Sequence, residues 1–184
     1  MSRDRDPRRV RIRPATNQDA TAISGIYNQS VVSSVATFDT EPRTPEGQTD
    51  RLRHHGARHP FLVAEEEGVV VGWASLSPWS DRKAYDDTAE ISIYVDRDHQ
   101  GRGVGRRLMS EILEGARRAR LHTVLARIAE GSEASLRLHR SSGFREIGRM
   151  REVGWKFGRR VDVWLLQFFP GSPPAPDSGS HTTE

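Results

Sequence analysis

The stretch from Glu90 to Gly105 constrains the fold of this chain more than any other part of the sequence. Its first half alternates apolar Ile91, Ile93 and Val95 with polar or aromatic residues, which is the period of a β-strand. Its second half, Gly101-Arg-Gly-Val-Gly, opens directly into a basic helix with an apolar stripe. Uncovered backbone N–H groups and a helix N-terminus together favour phosphate binding. The stretch therefore predicts a strand, a phosphate-binding turn and a helix in succession.

Several classes of protein carry a glycine-rich turn of this kind. A nucleotide-binding P-loop is excluded, because it needs Lys and then Ser or Thr where Arg106 and Arg107 stand. A dinucleotide-binding fold needs another glycine spacing and an acidic residue about 20 positions later, and residues 125–127 contain none. Arg127 could still meet a 2′-phosphate, which leaves an NADP site open. A glycine turn without any ligand also stays open.

Further motifs carry a resemblance to a known family. Gln100-Gly-Arg-Gly-Val-Gly and the helix after it resemble the acyl-CoA pyrophosphate loop of the GNAT N-acetyltransferase superfamily. Over roughly residues 10–168, the chain resembles the phosphinothricin / methionine sulfoximine N-acetyltransferase group in Ile12-Arg-Pro-Ala, Phe38-Asp-Thr-Glu-Pro, Pro78-Trp79 with Ala84-Tyr85-Asp86, Glu90, and Leu136-Arg-Leu-His139 with Gly143-Phe144. This resemblance implies transfer of the acetyl group of acetyl-CoA, as co-substrate, to the amine of a small amino-acid-like acceptor.

The hydrophobic pattern predicts a single α/β domain at residues 9–169, flanked by a flexible arm at 1–8 and a disordered tail at 170–184. The resemblance implies a GNAT-type mixed, twisted central sheet of about seven strands flanked by helices. Strands are predicted at residues 10–13, 61–64, 69–76, 90–95, 122–128, 144–153 and 160–169. Helices are predicted to begin at Thr16, at Thr44-Pro45, after Gly103 and near Gly131-Ser132.

Composition excludes several kinds of protein. The chain has no cysteine, which excludes disulfides, a thiol nucleophile and cysteine-based zinc sites. No apolar stretch could span a bilayer, and the N-terminus lacks the apolar core of a signal peptide, so we expect a cytoplasmic protein without membrane contact.

The 28 basic side chains are nearly balanced by 25 acidic ones, which predicts no nucleic-acid partner. His55 and His59 have the spacing of a metal pair but lack a third ligand, so a solvated helix face and no metal are predicted.

Acyl transfer to an amine needs a base for the ammonium, polarisation of the thioester carbonyl, and a proton for the departing thiolate. Glu90 is the candidate base, and a surface Glu paired with an Arg is the alternative. The resemblance implies that the strand parts from its parallel neighbour after Glu90. The amides of Ile93, Tyr94 and Val95 would then be free to bind the acyl carbonyl and the pantetheine arm.

The resemblance also implies the remaining cofactor contacts. The pyrophosphate site would consist of Gln100, Gly101, Arg102, Gly103, Val104, Gly105 and Arg106. Ser132, Ser135 and His139 occupy the matching positions of the short helix, although Ser132 replaces the usual Asn. His139 is a candidate proton donor to sulfur or a partner that orients Glu90. A histidine capped at the edge of the core is the alternative.

The acceptor site is predicted from Phe38, Arg82 and Tyr85, together with Glu90 at the acceptor amine. The resemblance implies that Phe38 lines the pocket, whereas a plug for the core is the alternative. Arg82 and Tyr85 are candidates to clamp the acceptor's acid, because Arg presents a bidentate fork to a carboxylate or phosphinate. A solvated loop Arg is the alternative there, since Ser80 replaces a basic residue that relatives often keep.

The segment 154–158 resembles one that lies near a dimer partner, which implies a homodimer. Two other functions stay open at this point. One is acetylation of a protein N-terminus or lysine, which would need an open groove instead of a basic pocket. The other is CoA binding by a module that has lost catalysis.

Overall fold

A computed structural model of the protein describes residues 10–171. The predicted arm at 1–8 and residues 172–184 of the predicted tail lie outside the described residues. The seven strands are β1 (Val10–Pro14), β2 (Phe61–Glu66), β3 (Val69–Pro78), β4 (Thr88–Val95), β5 (Thr123–Ala129), β6 (Arg145–Lys156) and β7 (Arg159–Phe168). The four α-helices are α1 (Ala20–Ser33), α2 (Pro45–Arg53), α3 (Val104–Arg118) and α4 (Glu133–Ser141).

The strands form one mixed sheet in the order β1-β2-β3-β4-β5-β7-β6. Its pairings are antiparallel except for β4 with β5, which run parallel. That exception follows from chain order, because the 15-residue helix α3 lies between them and parallel neighbours need such a crossover. The predicted fold, a seven-stranded mixed sheet flanked by helices, is confirmed.

Two of the four predicted helix starts coincide with side-chain capping interactions. Thr16 and Asp19 form a capping box ahead of α1, in which the Thr16 amide donates to the Asp19 carboxylate at 2.7 Å. At α2 the Thr44 hydroxyl accepts from the Gly47 amide at 3.1 Å, and Pro45 occupies the first turn. These interactions satisfy backbone donors that have no partner inside the helix.

Helix α2 ends earlier than the pattern of histidines suggests. Its last turn closes with hydrogen bonds from His54 to Arg51 and from His55 to Leu52, each spanning three residues. His55 and His59 therefore lie beyond the helix, so the predicted helix face is wrong. The His55 ring is half-buried and packs edge-on against Phe61, with ring centroids 5.1 Å apart.

Two apolar cores lie on the two faces of the sheet. On one face α3 buries its predicted stripe of Val104, Leu108, Ile112 and Ala116 against β1 to β4. On the other face α1 and α2 pack over Trp73. β4 contributes to both faces, since its isoleucines join the first core while Tyr94 stacks on Trp73 with ring centroids 4.8 Å apart. The strand that carries Glu90 is thus held from both sides.

The last hairpin is longer than predicted. β6 runs to Lys156 instead of ending at residue 153, because its pairing with β7 shifts register between Met150 and Gly154 and then resumes. The predicted segment 154–158 is therefore the end of β6 and its turn. Pro170, at the start of the predicted tail, is buried, and its carbonyl accepts from Arg117 at 3.0 Å.

Candidate active site

A cavity of about 880 Å³ opens where β4 and β5 part. The two strands are paired at Thr88, Ala89 and Glu90, and Glu90 opposite Leu125 is the last pair between them in the described chain. On its other side β4 stays paired with β3 as far as Val95. One edge of β4 beyond Glu90 therefore has no strand beside it within residues 10–171, as the resemblance implied.

The cavity brings together predicted residues from four separate segments of the chain. Those that line it are Phe38, Glu90, Ile93, Tyr94, Val95, Gln100, Gly101, Gly105, Ser132, Ser135 and His139. The other predicted turn residues flank it without lining it: Arg102, Gly103 and Arg106 are exposed, whereas Val104 is buried in the core below. Carboxylate and glycine turn thus lie along one cavity.

The turn before α3 depends on glycine at two positions. Gly101 and Gly103 have φ angles of 73° and 81°, which residues other than glycine rarely adopt. The side chain of Gln100 donates to the Val95 carbonyl at 3.2 Å and so ties the turn to the end of β4. Bare amides at a helix N-terminus attract an anion. The turn has the chemistry to hold a diphosphate.

Glu90 lies at the point of parting and is paired with Arg127 of β5. The guanidinium donates from Nε at 2.6 Å and from Nη2 at 2.7 Å to the two carboxylate oxygens. This hydrogen bonding raises the pKa of Arg127. Glu90 lines the cavity, which is the position a base would need, and it is also paired with an arginine, as the alternative interpretation supposes.

The sequence suggested Arg127 only as an NADP contact. That alternative loses its basis, because the guanidinium faces Glu90 and the sheet is not doubly wound. Once β4 and β5 are known to be parallel neighbours, residue positions alone indicate that Arg127 lies near Glu90. Leu125 lies opposite Glu90, so Arg127 is two residues further along the same face of β5.

His139 is buried beside Phe144 and lines the cavity. Its Nδ1 lies 2.8 Å from the Ser135 carbonyl oxygen, so Nδ1 carries the proton and Nε2 is an acceptor. Burial lowers the pKa of His139, although the hydrogen bond to Ser135 opposes the shift. The neutral ring in this tautomer has no proton to give from Nε2, which weighs against the predicted proton donor.

We expect His139 to make the protein less stable in mild acid. Because the pKa of His139 is lowered from 6.5 in the folded state, the unfolded chain takes up the proton first as the pH falls. The free energy of unfolding should therefore decrease below pH 6.5, by at most about 1.4 kcal/mol per pH unit for one proton. His139→Gln should remove this part of the slope in urea unfolding at about pH 5 to 7. The exposed His54, replaced in the same way, is the control, and equal slopes in both variants would contradict the prediction.

The basic residues that line the cavity are not the one predicted to bind the acceptor. Arg82 and Tyr85 are exposed on the loop between β3 and β4 and do not line the cavity. The arginines that line it are Arg43, Arg51 and Arg127. The clamp predicted from Arg82 and Tyr85 thus has no contact with the cavity in the described chain.

Two of the cavity's side chains are fixed by close contacts. Arg43 donates to Asp39 at 2.8 and 3.0 Å and lies over the Tyr27 ring, 3.8 Å from its centroid. The ring of Phe38 packs so closely on Gly154 that a Cβ there would lie 2.3 Å from it. Phe38 forms a wall of the cavity rather than a plug in either core.

Within residues 10–171, no three His, Asp or Glu side chains are grouped as metal ligands. No helix in that part of the chain has the length and apolar character needed to cross a membrane.

Parted strands, a glycine turn before a helix and a carboxylate between them are the arrangement that the resemblance to the GNAT superfamily implies for an acyl-CoA-dependent transferase. Comparison with known proteins agrees with this class. The profile of the acetyltransferase (GNAT) family matches residues 26–144, and the chain belongs to this family.

The chain is also similar to individual members of one group within this family. A phosphinothricin N-acetyltransferase from Streptomyces viridochromogenes is 40% identical over 178 residues, 96% of each chain. An L-methionine sulfoximine/L-methionine sulfone acetyltransferase from Salmonella typhimurium is 40% identical over 171 residues, 91% of this chain and 98% of the other. A solved phosphinothricin acetyltransferase from Sinorhizobium meliloti, in complex with acetyl-CoA, superposes with a TM-score of 0.84 at 31% identity, covering 95% and 96% of the two chains.

Proposed function

We propose that this protein transfers the acetyl group of acetyl-CoA to the amine of a small amino-acid-like acceptor of the phosphinothricin or methionine sulfoximine type. The observation that carries the proposal is the single cavity that joins the glycine turn to Glu90 at the parting of β4 and β5. The named relatives act on acceptors of this type. We place the enzyme in the cytoplasm, where acetyl-CoA is available.

The residues present fit acetyl-CoA, which supplies an activated acetyl group as a thioester. The amides of the turn, at Gly101, Gly103 and Gly105, would hold the diphosphate, because the first two glycines have no side chain and no atom lies within 4 Å of an added Cβ there. The unpaired edge of β4 at Ile93–Val95 would offer its amides to the pantetheine arm and the acyl carbonyl. Such donors contribute about 3 kcal/mol to the transition state of acyl transfer.

Glu90 is the base in this proposal. Its carboxylate is one-fifth exposed in the cavity, so it can accept a proton from the acceptor ammonium directly or through one water. The free amine then attacks the thioester carbonyl. We assign His139 a positioning role, because its Nδ1 proton is committed to Ser135 at the start of α4. Ser132 and Ser135 present hydroxyls to the same cavity and remain candidate cofactor contacts.

Phe38 would form a wall of the acceptor site. Arg82 and Tyr85 stay a prediction for acceptor binding, without support from any cavity contact in the described chain.

A panel of acceptors, assayed by release of free CoA thiol, tests the function. We expect turnover with phosphinothricin, methionine sulfoximine or an ordinary amino acid, and little with peptides that carry a free N-terminus or lysine. If only peptides are acetylated, the chain modifies proteins instead. If no amine is acetylated while acetyl-CoA still binds, the chain is a CoA-binding module and the proposal fails.

We also propose a homodimer that forms through the last hairpin. Val153, Trp155 and Phe157 are 52%, 60% and 58% exposed there, an apolar surface larger than isolated exposed side chains provide. Trp155→Arg should therefore convert the dimer to monomers in sedimentation velocity. Val69, 62% exposed on the hairpin of β2 and β3, gives the matched control Val69→Arg, which should stay dimeric. A Trp155→Arg protein that remains dimeric would contradict this interface.

A further inference from the structure

The guanidinium of Arg127 is used along only one of its edges. Nε and Nη2 donate to Glu90, whereas Nη1 has no hydrogen-bond acceptor among the described residues. The side chain is 52% exposed, lines the cavity, and lies beside the Trp79 ring at 5.6 Å from the centroid. A cation in contact with the candidate base thus has unused donors that a ligand can reach.

We propose that Arg127 determines acceptor specificity by binding the acid group of the acceptor while it holds Glu90. This inference rests on the proposed acetyl transfer. Arginine has five N–H donors in a planar fork, so one edge can hold Glu90 while the Nη1/Nη2 edge binds a second carboxylate or a phosphinate. No existing contact has to break for the acceptor to bind.

The chemistry of an α-amino acid suits this arrangement. Its amine and its carboxylate are attached to the same carbon atom. Fixing the carboxylate on one edge of Arg127 places the amine close to the other edge, where Glu90 is held at 2.6 and 2.7 Å. A single side chain therefore positions both the base and the acceptor, which is how orientation contributes to rate. An amine without a neighbouring acid gains nothing from this contact.

The other arginines of the cavity are less suited to the role. Arg43 is already engaged by Asp39 and Tyr27. Arg51 has no ion pair within the described residues, but its charged neighbours are Arg43 and Asp39 rather than Glu90. Arg82 lies on the exposed loop outside the cavity. Arg127 is the arginine of the cavity that contacts the candidate base.

The test compares two acceptors that share one amine: a free amino acid that the wild-type protein acetylates, and its carboxamide. We expect the wild type to favour the acid by about 10- to 100-fold in kcat/KM, since hydrogen bonds between charged groups have that effect. Arg127→Gln should abolish the preference, mainly through a higher KM for the acid. It should lower kcat for both acceptors alike, because Glu90 loses its partner. Arg51→Gln, the control, should keep the preference.

Binding gives a second readout that does not depend on turnover. In calorimetry without coenzyme, the acid should bind more tightly than the carboxamide to the wild type, and equally weakly to Arg127→Gln. If that variant does not fold, Arg127→Lys serves, because lysine keeps the charge but lacks the two-edged fork. A preference for the acid that survives in whichever of these two variants folds, or that the wild type lacks, overturns the inference while acetyl transfer stands. A wild type that acetylates no amine overturns the proposed function instead.

Discussion

Glu90→Gln is expected to lower kcat by about 10² to 10⁴ while the affinity for acetyl-CoA stays the same. The amide keeps the shape of the side chain but cannot accept the proton of the acceptor ammonium, and general-base catalysis contributes rate factors of that size. Steady-state kinetics gives kcat, and calorimetry with acetyl-CoA gives the affinity. The split between the two identifies a base rather than a binding residue.

The control for this variant is another glutamate paired with an arginine. Glu114 on α3 accepts from Arg117 at 3.2 Å and does not line the cavity, so Glu114→Gln should leave kcat unchanged. Equal kcat values for Glu90→Gln and the wild type would remove Glu90 from the chemistry. A fall in coenzyme affinity equal to the loss of rate would assign it to binding.

The second large effect is expected at Gly103, the residue before α3. Gly103→Val puts a β-branched side chain at a φ of 81° and covers backbone amides that would meet the diphosphate. We expect KM for acetyl-CoA to rise by about 10- to 100-fold, because one or two charge-assisted hydrogen bonds are lost. Differential scanning fluorimetry with and without acetyl-CoA should show most of the ligand-induced rise in Tm disappearing.

Backbone strain alone must be separated from this loss of binding. Gly68, in the turn between β2 and β3, has a φ of 82°, and like Gly103 it has no atom within 4 Å of an added Cβ. Gly68→Val should therefore reproduce the loss of stability, about 1–3 kcal/mol, without affecting the coenzyme. If both variants bind acetyl-CoA like the wild type, the turn does not hold the diphosphate.

The sequence predicts those features whose signals are local. The alternation after Glu90, the caps at Thr16 and Thr44, and the stripe along α3 each lie within one element, and the structure confirms them. The parting of β4 and β5 came from the resemblance, because no local pattern marks where two strands separate. The end of α2 was missed, since it depends on two short-range hydrogen bonds near His54 rather than on periodicity.

The arginines of the site could not be predicted from local sequence patterns. Arg82 is predicted because it is an arginine in the loop where relatives often keep a basic residue, but the loop between β3 and β4 leaves it outside the cavity. Arg127 is 37 positions from Glu90 and becomes its neighbour only through the parallel pairing of β4 with β5. The close packing of Phe38 on Gly154 likewise depends on tertiary structure.

The open edge of β4 has an evolutionary consequence. Every residue except proline has the same backbone N–H and C=O groups. A coenzyme bound by main-chain atoms can therefore still be bound after the side chains around it have been substituted. In the proposed site the acceptor, by contrast, would meet side chains such as Phe38 and Arg127, which line the cavity. A fold divided in this way can exchange its acceptor by a few substitutions on one wall and keep its acyl donor throughout.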